Sequence, residues 1–106
     1  METKKILIDS KYYQVSSDDL THVGDEFEPH MTQLFRALLD ADDIVADIGA
    51  NIGLTALLFA NLSRLVYAFE PSPSTFAILK QNVDANRIKN IEVFNIGLGE
   101  KTDRLN

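Results

Sequence analysis

A short apolar run that leads directly into two glycines and a helical pattern constrains this chain more than any other stretch. Ile44-Val45-Ala46-Asp47-Ile48 is typical of a parallel strand buried on both faces, with an acid near its carboxyl end. Gly49 and Gly53 bracket the next turn, where glycine permits positive φ and lets a ligand approach the backbone. Residues 52–62 are then apolar on most sides, as expected for a helix packed on a sheet. The stretch predicts a strand, a turn and a helix that together form a ligand cradle.

The glycine spacing indicates which ligand the cradle suits. The free N–H groups at the start of the helix favour an anionic group. Dinucleotide-binding turns follow G-x-G-x-x-G, and Asn51 occupies the place of the second glycine, which disfavours NAD. Asp47-x-Gly49-x-x-x-Gly53 resembles instead the first motif of doubly wound S-adenosylmethionine-dependent methyltransferases. The helix N-terminus suits the carboxylate of that ligand, and an acid suits its ammonium group. A tight turn without a ligand is the alternative interpretation of this stretch taken alone.

A second apolar run ends in an acid that belongs to the same cradle. Residues 65–69 predict a strand, and Pro71 ends it because proline cannot donate a ladder hydrogen bond. If the two strands are parallel neighbours, their tips lie about 5 Å apart, and Glu70 faces the crevice beside the glycine turn. Glu70 follows Gly49 by about 20 residues, the spacing of an acid that binds the hydroxyls of a ribose. NAD sites use an acid in the same place, so this feature alone does not exclude NAD, and a solvated strand-end acid is the structural alternative.

The remaining elements follow from periodicity and from helix-end signals. Residues 5–15 predict a hairpin and 16–24 a loop. Asn95 and Ile96, at the tip of a third strand, are predicted to lie beside the adenine ring of the cofactor. The tail 101–106 is polar and could start a return strand. The other predicted elements are a helix at 29–40 with an apolar stripe (Met31, Leu34, Phe35, Leu38, Leu39), a helix from Ser72 to Asn86 with Phe76, Leu79 and Val83 buried, and the third strand at 90–96.

Composition describes one small acidic domain. The chain has 106 residues, 45% of them hydrophobic and 25% charged, which suits a single globular unit. A net charge of −6 without a basic cluster argues against a nucleic-acid partner. The absence of cysteine excludes disulfides and thiolate metal sites, and the two histidines have no matching third ligand, so no metal is predicted. The chain has no apolar run of about 18 residues and no signal-peptide core near its start, so a cytoplasmic protein without a membrane partner is expected.

Three stretches together resemble one family, the FkbM-type methyltransferases. They are DIGANIGLT (47–55), FEPSP (69–73) and NIGLGE (95–100), and the similarity spans about 28–101. Gly97 is a departure, because members of the family carry alanine before the Leu-Gly pair. The resemblance implies a doubly wound (Rossmann-like) parallel sheet of the class I methyltransferase type, S-adenosylmethionine as cofactor, and O-methylation of a hydroxyl on a sugar or natural product. By the motif match, the cofactor residues are Asp47, Gly49, Asn51, Gly53 and Glu70.

The resemblance also sets expectations about what the chain contains. Such domains normally have seven strands, and this sequence supplies the first three βα units after an N-terminal addition. We therefore expect residues 1–24 to be a hairpin and loop extension, and 25–106 to be part of the cofactor-binding domain. The acceptor site usually lies in strands four to seven, so the chain alone is expected to be inactive. The first strand is expected to form an exposed apolar edge open to self-association. No catalytic residue is named, because Tyr12, Tyr13, His22 and His30 have no positional support.

Two alternative functions stay open at the level of sequence. One is a non-catalytic or split cofactor-binding module that acts with a partner chain. The other is a fragment of an NAD-dependent oxidoreductase, which requires glycine at Asn51. An α/β domain with no ligand requires both Asp47 and Glu70 to be coincidental.

Overall fold

A computed structural model describes residues 1–97 as a hairpin, three helices and a three-stranded parallel sheet. The last part of the NIGLGE stretch and the tail predicted to begin a return strand lie outside the described residues. The elements are β1 (Glu2–Ile8), β2 (Lys11–Ser17), α1 (Pro29–Leu38), β3 (Ile44–Ile48), α2 (Leu54–Leu62), β4 (Leu65–Phe69), α3 (Pro73–Ala85) and β5 (Ile91–Phe94).

The parallel sheet has the order β3-β4-β5, which places β4 in the middle. The predicted parallel pairing of β3 with β4 is confirmed, and Ile48 lies beside Phe69 in the register, so the two strands end level with each other. Val66 and Ala68 of β4 are fully buried beneath the helices. The carboxyl ends of adjacent parallel strands therefore meet at one edge of the sheet, where ligands of open α/β sheets bind.

The prediction that β3 is buried on both faces is wrong. Ile44 and Ile48 are 53% and 66% exposed, and Ala46 on the same face is also exposed. Within residues 1–97, β3 pairs only with β4, and nothing covers the face that carries these side chains. The expectation of an exposed apolar edge at this strand is confirmed for the described residues.

The predicted hairpin is confirmed, and its strands extend beyond the predicted range. β1 and β2 pair antiparallel from Glu2 with Ser17 to Ile8 with Lys11. Their inward side chains enter the same core as those of α2 and α3. The fully buried members of this core include Ile6, Ile8, Val15, Leu57, Leu58, Val66 and Leu79. The boundary between 24 and 25 remains a prediction, since the hairpin and the sheet share one core.

Helix α1 uses only part of its predicted apolar stripe. Phe35 packs edge-to-face on Phe59 of α2, with ring centroids 4.8 Å apart, and Thr32 is buried. Leu34 and Leu38 are 50% and 65% exposed, because their side of the helix meets no partner among the described residues.

The ends of the other elements follow the local signals. Ser72 caps α3, its hydroxyl accepting from the Thr75 N–H at 3.5 Å, and Asn86 follows the last turn, both as predicted. Helix α2 starts at Leu54, two residues later than predicted, because Gly53 is its N-cap with φ 108°. In residues 1–97 no helix combines the length and apolarity that a membrane crossing requires.

Candidate functional site

The turn between β3 and α2 contains three left-handed residues. Gly49, Asn51 and Gly53 have φ of 74°, 55° and 108°. The predicted positive φ at both glycines is confirmed. Asparagine is among the few non-glycine residues that tolerate this region, which explains how Asn51 can stand where the dinucleotide pattern has glycine.

The two glycines are required for different reasons. A Cβ at Gly53 would lie 3.0 Å from Cδ1 of Leu79 in α3, so both backbone conformation and packing demand glycine there. A Cβ at Gly49 would meet no atom within 4 Å. The space in front of Gly49 is therefore open to a ligand.

Backbone hydrogen bonds fix the glycine turn to the tip of β4. The N–H groups of Gly49 and Ala50 both donate to the carbonyl of Phe69, at 2.8 and 3.0 Å. The last residue of β4 thus holds the start of the turn in place. The geometry of the turn depends on the parallel pairing that precedes it.

Glu70 is buried directly against the turn. Its Oε1 accepts from the N–H of Asn51 at 2.8 Å, and its Oε2 accepts from the N–H of Ser72 at 3.1 Å. The alternative of a solvated strand-end acid is therefore wrong. A carboxylate offers about four acceptor positions, so each oxygen keeps one further lone pair. Glu70 itself does not line the cavity in front of the turn, whereas Asn51, to which it is bonded, does.

Asp47 lies behind the turn. The Thr55 hydroxyl donates to Asp47 Oδ2 at 2.7 Å, linking β3 to the first turn of α2. Burial raises the pKa of the Asp47 carboxyl, and the hydrogen bond from Thr55 offsets part of that rise. Asp47 does not line the cavity in front of the turn, whereas Thr55 does.

The residues at the tip of β5 brace the neighbouring turn. The side-chain amide of Asn95 donates to the carbonyls of Glu70 and Pro71 at 2.9 and 3.1 Å, and Ile96 is half-buried. Neither Asn95 nor Ile96 lines the cavity described next. Their place beside an adenine ring remains a prediction.

A cavity of about 440 Å³ opens between the glycine turn and the loop after β2. Its volume is in the range of small-molecule sites. The sequence predicts only a loop for residues 16–24, and no local signal indicates that this loop faces the glycine turn, about 30 residues further along the chain. The cavity is lined by Ser17, Asp19, Val23 and Phe27 on the loop side and by Gly49, Ala50, Asn51, Ile52, Leu54 and Thr55 on the other.

Asp19 supplies a negative charge to this cavity. The Thr21 hydroxyl and N–H donate to Asp19 Oδ1 at 2.6 and 2.9 Å. These bonds lower the pKa of the Asp19 carboxyl, the hydroxyl having the larger effect. The cavity therefore has free N–H groups at the start of α2 on one side and an ionised carboxylate on the other.

A second cavity of about 290 Å³ adjoins the first and shares Val23, Phe27 and Leu54 with it. His22, Glu26 and Glu28 are among its other lining residues. No group of three His, Asp or Glu side chains in residues 1–97 is arranged to hold a metal ion.

Sequence comparison finds relatives that match this chain over part of its length. The 31-O-demethyl-FK506 methyltransferase FkbM of Streptomyces tacrolimicus is 47% identical over 49 residues, covering 43% of this chain and 18% of that protein. The uncharacterized RNA methyltransferase OB0768 of Oceanobacillus iheyensis is 35% identical over 65 residues, covering 61% and 14%. The uncharacterized protein MJ1452 of Methanocaldococcus jannaschii is 38% identical over 56 residues, covering 53% and 22%. The chain thus spans less than a quarter of each of these relatives, and no family model matches it.

Solved structures with the same fold include methyltransferases. An rRNA methylase from Streptococcus thermophilus superposes with a TM-score of 0.61 at 26% identity, covering 73% of this chain and 46% of that one. TYW2 of M. jannaschii, solved in complex with AdoMet, superposes with a TM-score of 0.63 at 16% identity, covering 87% and 42%. The predicted fold class is confirmed: the chain has the class I methyltransferase fold, of which residues 1–97 supply three parallel strands and three helices.

Proposed function

We propose that this chain is the N-terminal part of an S-adenosylmethionine-dependent methyltransferase and holds the cofactor in the cavity in front of the glycine turn. The observation that carries the proposal is the contact between the glycine turn and the acid that follows β4. Glu70 accepts a hydrogen bond from the Asn51 N–H, and the space in front of Gly49, in the same turn, is open. A ligand that combines an amino acid end with a ribose fits both features.

Each predicted site residue has a role in this proposal. Gly49, Asn51 and Gly53 shape the turn so that the N–H groups at the start of α2 face the carboxylate of the cofactor. Glu70 accepts hydrogen bonds from the ribose hydroxyls through its free lone pairs. Asp47 orients Thr55 at the back of the cradle.

Three further residues complete the proposed cofactor contacts. Asp19, which the sequence did not single out, lines the cavity as an ionised carboxylate and is the partner we propose for the ammonium group. Asn95 and Ile96 are proposed to flank the adenine ring outside the cavity, since the bond from Asn95 to the Glu70 carbonyl places this strand tip beside the acid proposed to bind the ribose.

Charge favours a small hydroxyl acceptor over RNA. The relatives include both an RNA methyltransferase and an enzyme named for a natural product, so similarity does not separate the two. This chain carries a net charge of −6, and the acids among the lining residues, Asp19 in the first cavity and Glu26 and Glu28 in the second, would repel a phosphate backbone. We therefore propose an FkbM-type enzyme that O-methylates a hydroxyl on a sugar or natural product. A cytoplasmic location without a membrane partner remains part of the same prediction.

We further propose that the chain alone is inactive. It spans 46% of the rRNA methylase and 42% of TYW2, and the uncovered face of its sheet carries exposed apolar side chains. A split cofactor-binding module that works with a partner chain is the second candidate, and the open edge of β3 favours it. In a methyl-transfer assay with hydroxyl acceptors, turnover by the 106 residues alone would contradict this proposal.

Thermal unfolding with two ligands tests the cofactor assignment. S-adenosylhomocysteine at 100 times its Kd is expected to stabilise the fold by about 2.7 kcal/mol, which moves the Tm of a small domain by several degrees. NAD at the same concentration is expected to leave Tm unchanged. A shift with NAD alone would support the oxidoreductase alternative and would refute the methyltransferase proposal.

A further inference from the structure

Asn82 is a completely buried polar side chain in the middle of α3. Its Oδ1 accepts from the N–H of Ser16 at 2.8 Å. Its Nδ2 donates to the carbonyls of Ser16 and Ile52, at 3.1 and 2.8 Å. The side-chain oxygen and both side-chain N–H groups of Asn82 are thus hydrogen-bonded, as a buried asparagine requires.

The partners of this amide belong to opposite walls of the proposed cofactor cavity. Ile52 lines the cavity as part of the glycine turn. Ser16 directly precedes Ser17, which lines the other wall at the end of β2. Because one rigid planar group is bonded to both walls, it fixes the distance between them.

The bond to Ile52 also sets the orientation of one peptide unit. The carbonyl of Ile52 accepts from Asn82, and the N–H of Gly53, in the same peptide, donates to the Ala50 carbonyl at 3.1 Å. Gly53 is the N-cap of α2. The peptide between Ile52 and Gly53 is therefore held at both its carbonyl and its N–H group. Its orientation in turn sets the direction of the N–H groups at the start of α2.

Asn86, one helical turn later, supplies an internal comparison. Its Oδ1 accepts from the Gln14 N–H at 2.9 Å, and its Nδ2 donates to the carbonyls of Gln14 and Asn82 at 2.9 and 2.8 Å. Both asparagines thus bind the free edge of β2, as a neighbouring strand would. Only Asn82 also reaches the glycine turn.

We propose that Asn82 is a positioning residue that couples the docking of the N-terminal hairpin to cofactor binding. The coupling rests on the proposed function, since it assumes that S-adenosylmethionine occupies the cavity. Undocking of β2 removes one wall of the cavity and releases the peptide between Ile52 and Gly53. A bound cofactor therefore stabilises the docked hairpin, and loss of the Asn82 donors weakens cofactor binding.

Isosteric substitutions separate this role from simple support of the hairpin. Asn82→Asp keeps the shape and the acceptor for Ser16 but removes the N–H donors, and Asn86→Asp is the matched control. We expect affinity for S-adenosylhomocysteine, measured by calorimetry well below each variant's Tm, to fall about tenfold in Asn82→Asp and less than about twofold in Asn86→Asp. Equal affinity in the two variants would overturn the coupling.

Amide exchange in the unsubstituted chain gives a test that no variant can compromise by misfolding. With S-adenosylhomocysteine at 100 times its Kd, exchange of the Ser16 amide is expected to slow by up to about 100-fold, because its opening must release ligand. The Gln14 amide, on the same strand as Ser16 and bonded to Asn86, is expected to slow as well, because undocking of β2 exposes both amides. The Asp43 amide, bonded to the Asp40 carbonyl in a turn away from β2, is expected to be unchanged. An unchanged Ser16 amide in a chain that binds the ligand, or equal slowing of the Asp43 amide, would refute the inference.

A readout without ligand distinguishes this inference from the proposed function. In Asn82→Asp, exchange of the Gly53 amide is expected to be faster than in the unsubstituted chain, whereas in Asn86→Asp it is expected to be unchanged. If Gly53 does not respond to Asn82→Asp, the positioning role is wrong even where the ligand binds. If Gly53 responds but the unsubstituted chain binds no S-adenosylhomocysteine, the proposed function fails, and with it the coupling to a cofactor.

Discussion

Gly53→Ala is expected to destabilise the fold by about 1–5 kcal/mol, the net of three contributions to the free energy of unfolding. An alanine at φ 108° costs about 1–3 kcal/mol of folding free energy, because its backbone conformation is unfavourable. The new Cβ lies 3.0 Å from Cδ1 of Leu79, which is fully buried, so repacking adds about 1–3 kcal/mol. Alanine also lowers the conformational entropy of the unfolded chain, which offsets about 0.4–1 kcal/mol of this loss of stability.

Two other glycines provide matched controls for this estimate. Gly49→Ala has the backbone cost at φ 74° but no contact within 4 Å, so a loss of about 1 kcal/mol is expected. Gly24→Ala brings an ordinary 3.7 Å contact with the Glu26 carbonyl and no left-handed φ, so its effect is expected to be about zero. Urea unfolding of the three variants measures the differences, and 1 kcal/mol corresponds to about 4–8 °C in Tm for a domain of this size.

A double-mutant cycle tests the packing part of the effect directly. Leu79→Val removes the methyl group that the new Cβ meets, so the two substitutions together are expected to cost less than the sum of their separate effects. If Gly53→Ala were no more destabilising than Gly24→Ala, the left-handed N-cap and the contact with α3 would both be refuted.

Three further substitutions test the site, and a fourth tests the exposed edge of β3. Asp47→Asn is expected to raise Tm at pH 7, because the raised pKa of the buried Asp47 carboxyl makes its ionisation unfavourable in the folded state. The contribution of Asp47 to stability is full below about pH 4 and is lost as pH rises through the folded-state pKa. In a Tm-versus-pH series, the variant should therefore lack this decline. Glu70→Gln leaves one backbone N–H without its acceptor and is expected to cost about 1–3 kcal/mol in urea unfolding as well as affinity for S-adenosylhomocysteine. Asp19→Asn is expected to lower that affinity by about tenfold with little change in Tm, and Asp18→Asn, outside the cavity, to leave both unchanged in calorimetry. Ile48→Lys is expected to reduce self-association in light scattering, and an unchanged mass would contradict association through the edge of β3.

The features that could be predicted from the sequence are those set by local chemistry. Pro71 ends β4, Ser72 caps α3, and the glycines adopt positive φ, because each residue type carries its own backbone preference. The place of Glu70 beside the glycine turn followed from parallel pairing, which short apolar strands separated by a helix strongly favour.

The features that escaped prediction depend on what packs against what. An apolar strand has the same sequence pattern whether one or both of its faces are covered. The exposure of Ile44 and Ile48 therefore could not be predicted from the sequence. Asn82 lies between buried Leu79 and Val83, and its polarity alone does not reveal that three backbone groups converge on it. The loop that forms one wall of the cavity faces the glycine turn only because the hairpin docks on α3.

An NMR titration of the ¹⁵N-labelled chain with S-adenosylhomocysteine tests the cofactor site most directly. We expect saturable shift changes concentrated in two separate segments, the glycine turn from Gly49 to Gly53 with Glu70, and the loop from Ser17 to Val23. Both segments should respond with the same Kd, because residues of both line one cavity and Glu70 is bonded to the turn through the Asn51 N–H. The absence of a saturable change, or changes confined to the open face of the sheet around Ile44 and Phe94, would contradict the assignment of this cavity to S-adenosylmethionine.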